Sequence, residues 1–344
     1  MKKVLFALIA CFALLASMGA AQQPAPTPAP TSKPADASPH TAQRIEVEKD
    51  VKLEVLDWGG KGRTLVLLAG LGFTAHDFDT VAPKLATRYR VLGITRRGFA
   101  PSSIPEPDAS NYSATRLAND VLAVMDALKL DHPVLAGHSL AGEELTWIGV
   151  HHPERVAGLI YLDAAYPYAY FNDKADSGDP TMDIAELRAQ LDRVLTPMAI
   201  SETRRIVHHL AEVSLPRVER DLEQGLKDLA NIPDSPSAPR LSSTDLAVAA
   251  IRRGVEVQGG VQCPVLAIYA LPHHFPPQMT GGNAEKLKEM VARDKERNSV
   301  QADAFQAANP QARVVRIADA DHFIYKSNEA EVLKEMDDFM ARLQ

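Results

Sequence analysis

The chain has 344 residues, 46% of them hydrophobic and 24% charged, an ordinary globular composition with enough apolar mass for a sizeable core. With 37 Lys and Arg against 44 Asp and Glu the formal charge is -7, which disfavours an extended basic footprint for nucleic acid. Residues 1–21 read as an export signal: Lys2 and Lys3, an apolar run over residues 4–16, then small residues ending at Ala21. The apolar run is shorter than the roughly 20 residues a spanning helix needs, so no stable membrane span is expected once the signal is cleaved. The expected location is periplasmic or secreted. Leu8-Ile9-Ala10-Cys11 also resembles a lipoprotein processing box, which makes anchoring at Cys11 the minor alternative. After cleavage at Ala21 the only cysteine left is Cys263, so no internal disulfide is available.

Residues 22–43 are rich in Pro, Ala, Thr and Ser and are expected to form a disordered linker, because they offer too little apolar surface to bury. From Arg44 onward, Ile45, Val47, Val51, Leu53 and Val55 alternate with polar residues, predicting two antiparallel strands that turn near Lys49-Asp50. Residues 64–69 are continuously apolar, as in a strand buried on both faces, and end in Gly70-Leu71-Gly72. A helix is expected over residues 77–87 and a strand over residues 89–95, followed by Arg96-Arg97 in a loop. Two adjacent arginines suit an anionic substrate or local carboxylate partners, and the second reading is preferred. Residues 114–129 place Leu117, Val121, Leu122, Val124, Met125 and Leu128 on one helical face.

Residues 134–138 predict another buried strand that stops at Ser139 and passes directly into a helix ending near His151. A further strand over residues 156–162 stops at Asp163. Between 164 and 263 the strand signal disappears, and periodic stretches separated by prolines predict a helical insertion. Within it, Tyr166, Tyr168, Tyr170 and Phe171 suit either an aromatic entrance or internal packing. Residues 264–270 resume the strand pattern, residues 283–308 read as a long charged helix, residues 312–317 as a last strand and residues 329–343 as a closing helix. The alternation of strand and helix argues for an α/β fold with a mostly parallel, doubly wound sheet covered on both faces.

Chemistry concentrates at Gly137-His138-Ser139-Leu140-Ala141-Gly142. A serine between small residues, at a sharp turn from strand to helix, presents a strained and exposed hydroxyl. A nucleophilic serine needs a base, and His322 lies in the loop after the last expected strand, on the same edge of the sheet. His138 lies inside the turn itself, and His151-His152, His208-His209 and His273-His274 are adjacent pairs that do not share a helical face, so a two-histidine metal site is poorly supported. Glu143 and Glu144 open the helix after Ser139, where carboxylates suit its N-terminal dipole. Cys263 precedes a buried strand and reads as packing.

In the order Gly70-Leu71-Gly72, Arg97-Gly98, Gly137-His138-Ser139-Leu140-Ala141-Gly142 and Asp321-His322-Phe323, residues 44–344 resemble the α/β-hydrolase superfamily. The resemblance implies core segments 44–163 and 264–344 around a helical lid over residues 164–263. It implies Ser139 as nucleophile, His322 as base, and backbone N–H groups of Leu71 and Leu140 as the oxyanion hole. Ala69 stands where many members carry His. The family's usual acid position after the seventh strand holds Ala270-Leu271-Pro272-His273-His274, without a carboxylate. A known variation moves the acid to the end of the sixth strand, which designates Asp163. Serine rather than aspartate at the turn sets the chain apart from the related epoxide hydrolases and haloalkane dehalogenases. The expectation is an exported serine hydrolase acting on a small-molecule carboxylic ester, with no cofactor and no metal. A lactonase, amidase or acyltransferase would use the same residues, and a non-catalytic ligand-binding member of the fold is the alternative from another class. The sequence leaves the oligomeric state open.

Overall fold

The computed structural model describes residues 38–173, 179–230 and 241–343. The expected export signal, Cys11 and most of the expected linker lie outside the described residues. The described chain divides into two compact units, one formed by residues 38–189 with 241–343 and the other by residues 190–230.

The first unit is built on eight strands: β1 (Thr41–Glu48), β2 (Val51–Gly59), β3 (Thr64–Leu68), β4 (Arg90–Ile94), β5 (Val134–His138), β6 (Gly158–Leu162), β7 (Val265–Ala270) and β8 (Arg313–Ile317). They form one sheet in the order β1-β2-β4-β3-β5-β6-β7-β8. The β1/β2 and β2/β4 pairs are antiparallel and every other pair is parallel. β1 begins at Thr41, paired with Asp57, so the last three residues of the expected linker are strand. Pairing with the alternating β2 supplies the partner that residues 41–43 lack in isolation.

The central strands are apolar along their whole length because both faces of the sheet are covered. On β3, Val66 and Leu68 join one core cluster while Leu65 and Leu67 join the other. On β7, Val265, Ala267 and Tyr269 separate in the same way from Leu266, Ile268 and Ala270. Helix α1 (Ala114–Ala127) sends Leu117 into a small cluster of its own and Val121, Leu122, Val124 and Met125 into the first core. Helix α2 (Ala141–His151), which follows Ser139, is buried over most of its length. The continuous helix expected over residues 77–87 is instead a single turn at Ala75–Phe78 and a four-residue helix at Ala82–Leu85. Pro83 sits in the first turn of the second piece, where its missing N–H is tolerated but would break a longer helix.

After β6, helices occur where an insertion was expected: α3 (Pro180–Val194), α4 (Ile200–His209), α5 (Leu215–Leu229) and α6 (Ser243–Arg253). The insertion does not, however, separate from the core along the expected limits of 164 and 263. Residues 164–189 and 241–262 belong to the sheet-bearing unit. Ala164, Ala165 and Ala169 pack in the first core, and Ala247, Ala250 and Ile251 of α6 pack with Phe99, Tyr112 and Leu140. Helices α7 (Ala284–Ala308) and α8 (Glu329–Met340) complete the first unit, α8 covering the second core with Val332, Met336, Phe339 and Met340. In the smaller unit, α4 continues through a π-helical turn at Leu210–Ser214 into α5.

Parallel pairing places the ends of β3, β5, β6, β7 and β8 along one carboxyl edge, the usual location of ligand sites in open α/β sheets. Ala69-Gly70-Leu71, Ser139, Asp163, His273 and His322 all follow directly from those ends.

Candidate active site

Ser139 leaves β5 with φ 52° and Asp163 leaves β6 with φ 49°. Both adopt the left-handed conformation that a non-glycine residue holds only when its surroundings over-determine it. At Ser139 the strain turns the chain from strand into α2. Gly142 is required here, because a Cβ on it would sit 1.9 Å from the Ala164 carbonyl oxygen, just beyond Asp163. The nearest approach to a Cβ at Gly137 is Ala141, at 3.0 Å, so alanine at position 141 is accommodated as long as 137 stays glycine.

The Ser139 Oγ lies 2.9 Å from His322 Nε2, and His322 Nδ1 lies 2.7 Å from Asp163 Oδ2. A carboxylate only accepts, so Nδ1 carries the proton and Nε2 presents its lone pair to the serine hydroxyl. Asp163 is completely buried and accepts four hydrogen bonds. The Tyr166 hydroxyl (2.7 Å) and the Ala270 N–H (2.9 Å) donate to Oδ1, while His273 Nε2 (2.8 Å) and His322 Nδ1 donate to Oδ2. Burial alone would make this carboxyl harder to ionise, but the hydrogen bonds from the two histidines outweigh it and hold the carboxyl well below the usual carboxylate range.

Neither Leu71 nor Leu140 has its N–H taken by a protein acceptor among the described residues, which leaves both free for a ligand. A Cβ at position 70 would meet His138 Nδ1 at 2.9 Å and the Ser139 Cβ at 3.1 Å, so glycine there lets the β3 loop pass close to Ser139.

His138 packs against His322. Its Nε2 donates to the His322 carbonyl oxygen at 3.0 Å, and its ring lies 4.7 Å from the His322 ring. Burial, reinforced by the neighbouring His322, pushes His138 down to about 3, so it stays neutral. Phe323 meets the His138 ring at a tilt and the His322 ring edge-on.

Sequence reasoning missed three residues of this cluster. Tyr166, weighed only as an aromatic wall or packing, is a hydrogen-bond donor to Asp163. His273, set aside as half of an adjacent pair, lies between Asp163 and Asp294, with Nδ1 at 3.0 Å from Asp294 Oδ1. Asp294 comes from α7, about twenty residues downstream, and no local signal marks it. Burial disfavours charge on His273, but the bonds to Asp163 and Asp294 outweigh it and raise this group to about 10. Its stabilising contribution is therefore complete below about pH 6.5 and fades as pH rises toward 10. The urea midpoint is expected to fall across that window, and to fall less in His273→Gln.

Two groups among the described residues bring ligand-type atoms within 4.8 Å of one another: Asp163, His273 and His322, and separately His40, His76 and Asp79. In the first, these atoms are committed to the hydrogen bonds just described. In the second, His76 Nδ1 lies 3.0 Å from Asp79 and its Nε2 3.8 Å from Glu54. Cys263 is buried and its thiol is pushed up to about 12 by desolvation, in keeping with a packing role.

The family described as alpha/beta hydrolase fold matches residues 63–187. The pimeloyl-[acyl-carrier protein] methyl ester esterase of Aeromonas hydrophila subsp. hydrophila is 31% identical over 186 residues, 50% of this chain and 70% of that protein. The chain belongs to the α/β-hydrolase family. A fluoroacetate dehalogenase of Burkholderia sp is 35% identical over 117 residues, 33% of this chain and 38% of the dehalogenase, so the chain spans little more than a third of that relative. A solved hydrolase from Pseudomonas aeruginosa PA01 shares the fold, with a TM-score of 0.54 at 21% identity over 87% of this chain and 98% of that one.

In this α/β-hydrolase the loop after β3 is held by Arg96. Its guanidinium donates to the Ala69 carbonyl at 3.0 Å and pairs with Glu144 through Nε–Oε1 (2.5 Å) and Nη2–Oε2 (2.8 Å). Both side chains are buried. Glu143 and Glu144 do lie in the first turn of α2, and the structure adds a specific partner to each. Glu144 anchors Arg96, and Glu143 accepts the Glu256 N–H at 2.9 Å while burial pushes its carboxyl well up. Arg97 is likewise structural, clamped by Asp120 and Glu48. Removing one partner of a buried pair leaves the other uncompensated. Arg96→Met is expected to lose about 3–5 kcal/mol in urea denaturation. Because the β3 loop loosens, kcat should fall more than KM rises.

Proposed function

We propose that this protein is an exported serine hydrolase that cleaves a small carboxylic ester through Ser139, His322 and Asp163. The observation that carries the reading is the unbroken hydrogen-bonded chain from the Ser139 hydroxyl through both nitrogens of His322 to the buried carboxylate of Asp163. As Ser139 Oγ attacks the acyl carbon, His322 Nε2 removes its proton, and Asp163 stabilises the imidazolium through Nδ1–H. The N–H groups of Leu71 and Leu140 receive the developing oxyanion. His322 then protonates the leaving alkoxide, and a water activated by the same nitrogen releases the acid from the acyl-enzyme.

The nucleophile's chemistry favours an ester over a carbon–halogen bond. Attack by serine on an alkyl halide would leave a stable ether that water does not cleave, whereas an acyl-serine turns over. The Aeromonas hydrophila relative, named as a methyl ester esterase, supports the same substrate class. Export rests on the basic, then apolar, then small-residue pattern of residues 1–21. No helix among the described residues is long and apolar enough to cross a membrane. The test is turnover of short p-nitrophenyl esters by the purified chain. Saturable hydrolysis is expected, and a folded protein that hydrolyses none across acyl lengths would overturn the reading.

A further inference from the structure

We propose that His273, held as an imidazolium between Asp163 and Asp294, is a positioning residue that fixes the acid and sets the pH below which His322 stops accepting the serine proton. The inference rests on the reading of Ser139, His322 and Asp163 given above and extends it by two residues.

His273 Nε2 lies 2.8 Å from Asp163 Oδ2, and its Nδ1 lies 3.0 and 3.2 Å from the two oxygens of Asp294. Carboxylates accept and do not donate, so both ring nitrogens carry protons and the ring is a cation. The site is built for this charge. The His273 side chain is 14% exposed, that of Asp294 8% and that of Asp163 0%. Asp294 also accepts the His273 backbone N–H at 2.8 Å and the Asn298 amide at 2.7 Å, which fixes its own orientation. The neighbouring His274 shows the contrast: it is exposed and pairs with Asp319 on the other side of the loop.

His273 and His322 donate to the same oxygen of Asp163, and their rings are 6.0 Å apart. Lys326 lies over the Phe323 ring beside His322 and is paired with Asp77. Asp163 and Asp294 are anionic, Tyr166 and Tyr269 are neutral phenols whose ionisation is suppressed by burial beside Asp163, and His138 is neutral. Asp163, His273 and Asp294 together carry one net negative charge. That charge stabilises the imidazolium that forms at His322 during attack, and the cation at 273, 6.0 Å from it, offsets part of the charge of the two carboxylates. Without His273 the two carboxylates would hold a proton on His322 more tightly. A positive charge about 6 Å away in a partly screened site is worth on the order of one pH unit.

The experiment follows the rate of fluorophosphonate labelling, and of p-nitrophenyl acetate hydrolysis as kcat/KM, against pH for the full chain, His273→Gln and His273→Lys. The acid limb is expected to move up by about one pH unit in His273→Gln and to return toward its original position in His273→Lys, which restores the charge. A residue that only packs would change rate or stability without moving the limb. An unmoved limb in His273→Gln therefore overturns the proposal. Absence of Ser139-dependent labelling in the unaltered protein would instead overturn the functional reading. Should His273→Gln fail to fold, histidine-selective nitrogen NMR of the unaltered protein decides. A buried imidazolium protonated on both nitrogens at pH 8.5 supports the proposal, and a neutral ring at 273 overturns it.

Discussion

Ser139→Ala is expected to lower ester hydrolysis by on the order of a million-fold while leaving the fold intact. The size follows from the geometry. Without the hydroxyl, the lone pair of His322 Nε2 has no proton to remove at 2.9 Å, and no acyl-enzyme forms. What survives is whatever the Leu71 and Leu140 N–H groups contribute to direct attack by water. The backbone at 139 keeps φ 52° with alanine, so the strain remains and denaturation midpoints should change little. The measurements are kcat for p-nitrophenyl acetate and a urea titration on the same preparation.

The second large effect is expected from Asp163→Asn, a loss of roughly four orders of magnitude in kcat. Aspartate at 163 accepts on both oxygens. Asparagine accepts on one side only, and its single oxygen is drawn to the Oδ1 position, where the Ala270 N–H and the Tyr166 hydroxyl both donate. The amide NH2 is then turned toward His322 Nδ1 and forces that nitrogen to accept. The ring's proton moves to Nε2, the wrong tautomer for a base. Retention of near-normal turnover in Asp163→Asn would mean that another carboxylate orients His322. Asp319 and Asp321 are the nearest in sequence, but Asp319 is paired with His274.

The fold was legible because the central strands are apolar throughout and end at recognisable turns. Residues 64–68, 134–138, 158–162 and 265–270 differ from the sequence-derived limits by no more than two residues. The strained serine announces itself through the small residues that must surround it. Asp163 is harder to see, since it is designated by an absence after β7, and in the structure it meets His322 at 2.7 Å.

What the sequence hid depends on register. Parallel pairing of β7 with β8 brings the loop after Ala270 beside the loop after Ile317, and a bridge between His273 and Ala320 extends that alignment. Adjacency of His273 and His274 along the chain counts against a shared role, and the structure splits them to opposite sides. One faces Asp163 and Asp294, the other Asp319. The place where a family acid was missing is thus occupied by a histidine hydrogen-bonded to Asp163 at the end of the neighbouring strand. The Arg96–Glu144 pair was hidden for the same reason: 48 residues separate the partners, and only the order β4-β3-β5 brings them together.

A nucleophilic Ser139 is open to covalent mapping. The full chain is treated with a fluorophosphonate, digested and sequenced by mass spectrometry. One adduct is predicted, on the Ser139 hydroxyl, and it should disappear in His322→Ala, which removes the base but leaves the serine in place. A folded protein that forms no adduct, or carries it on another residue, would contradict the account.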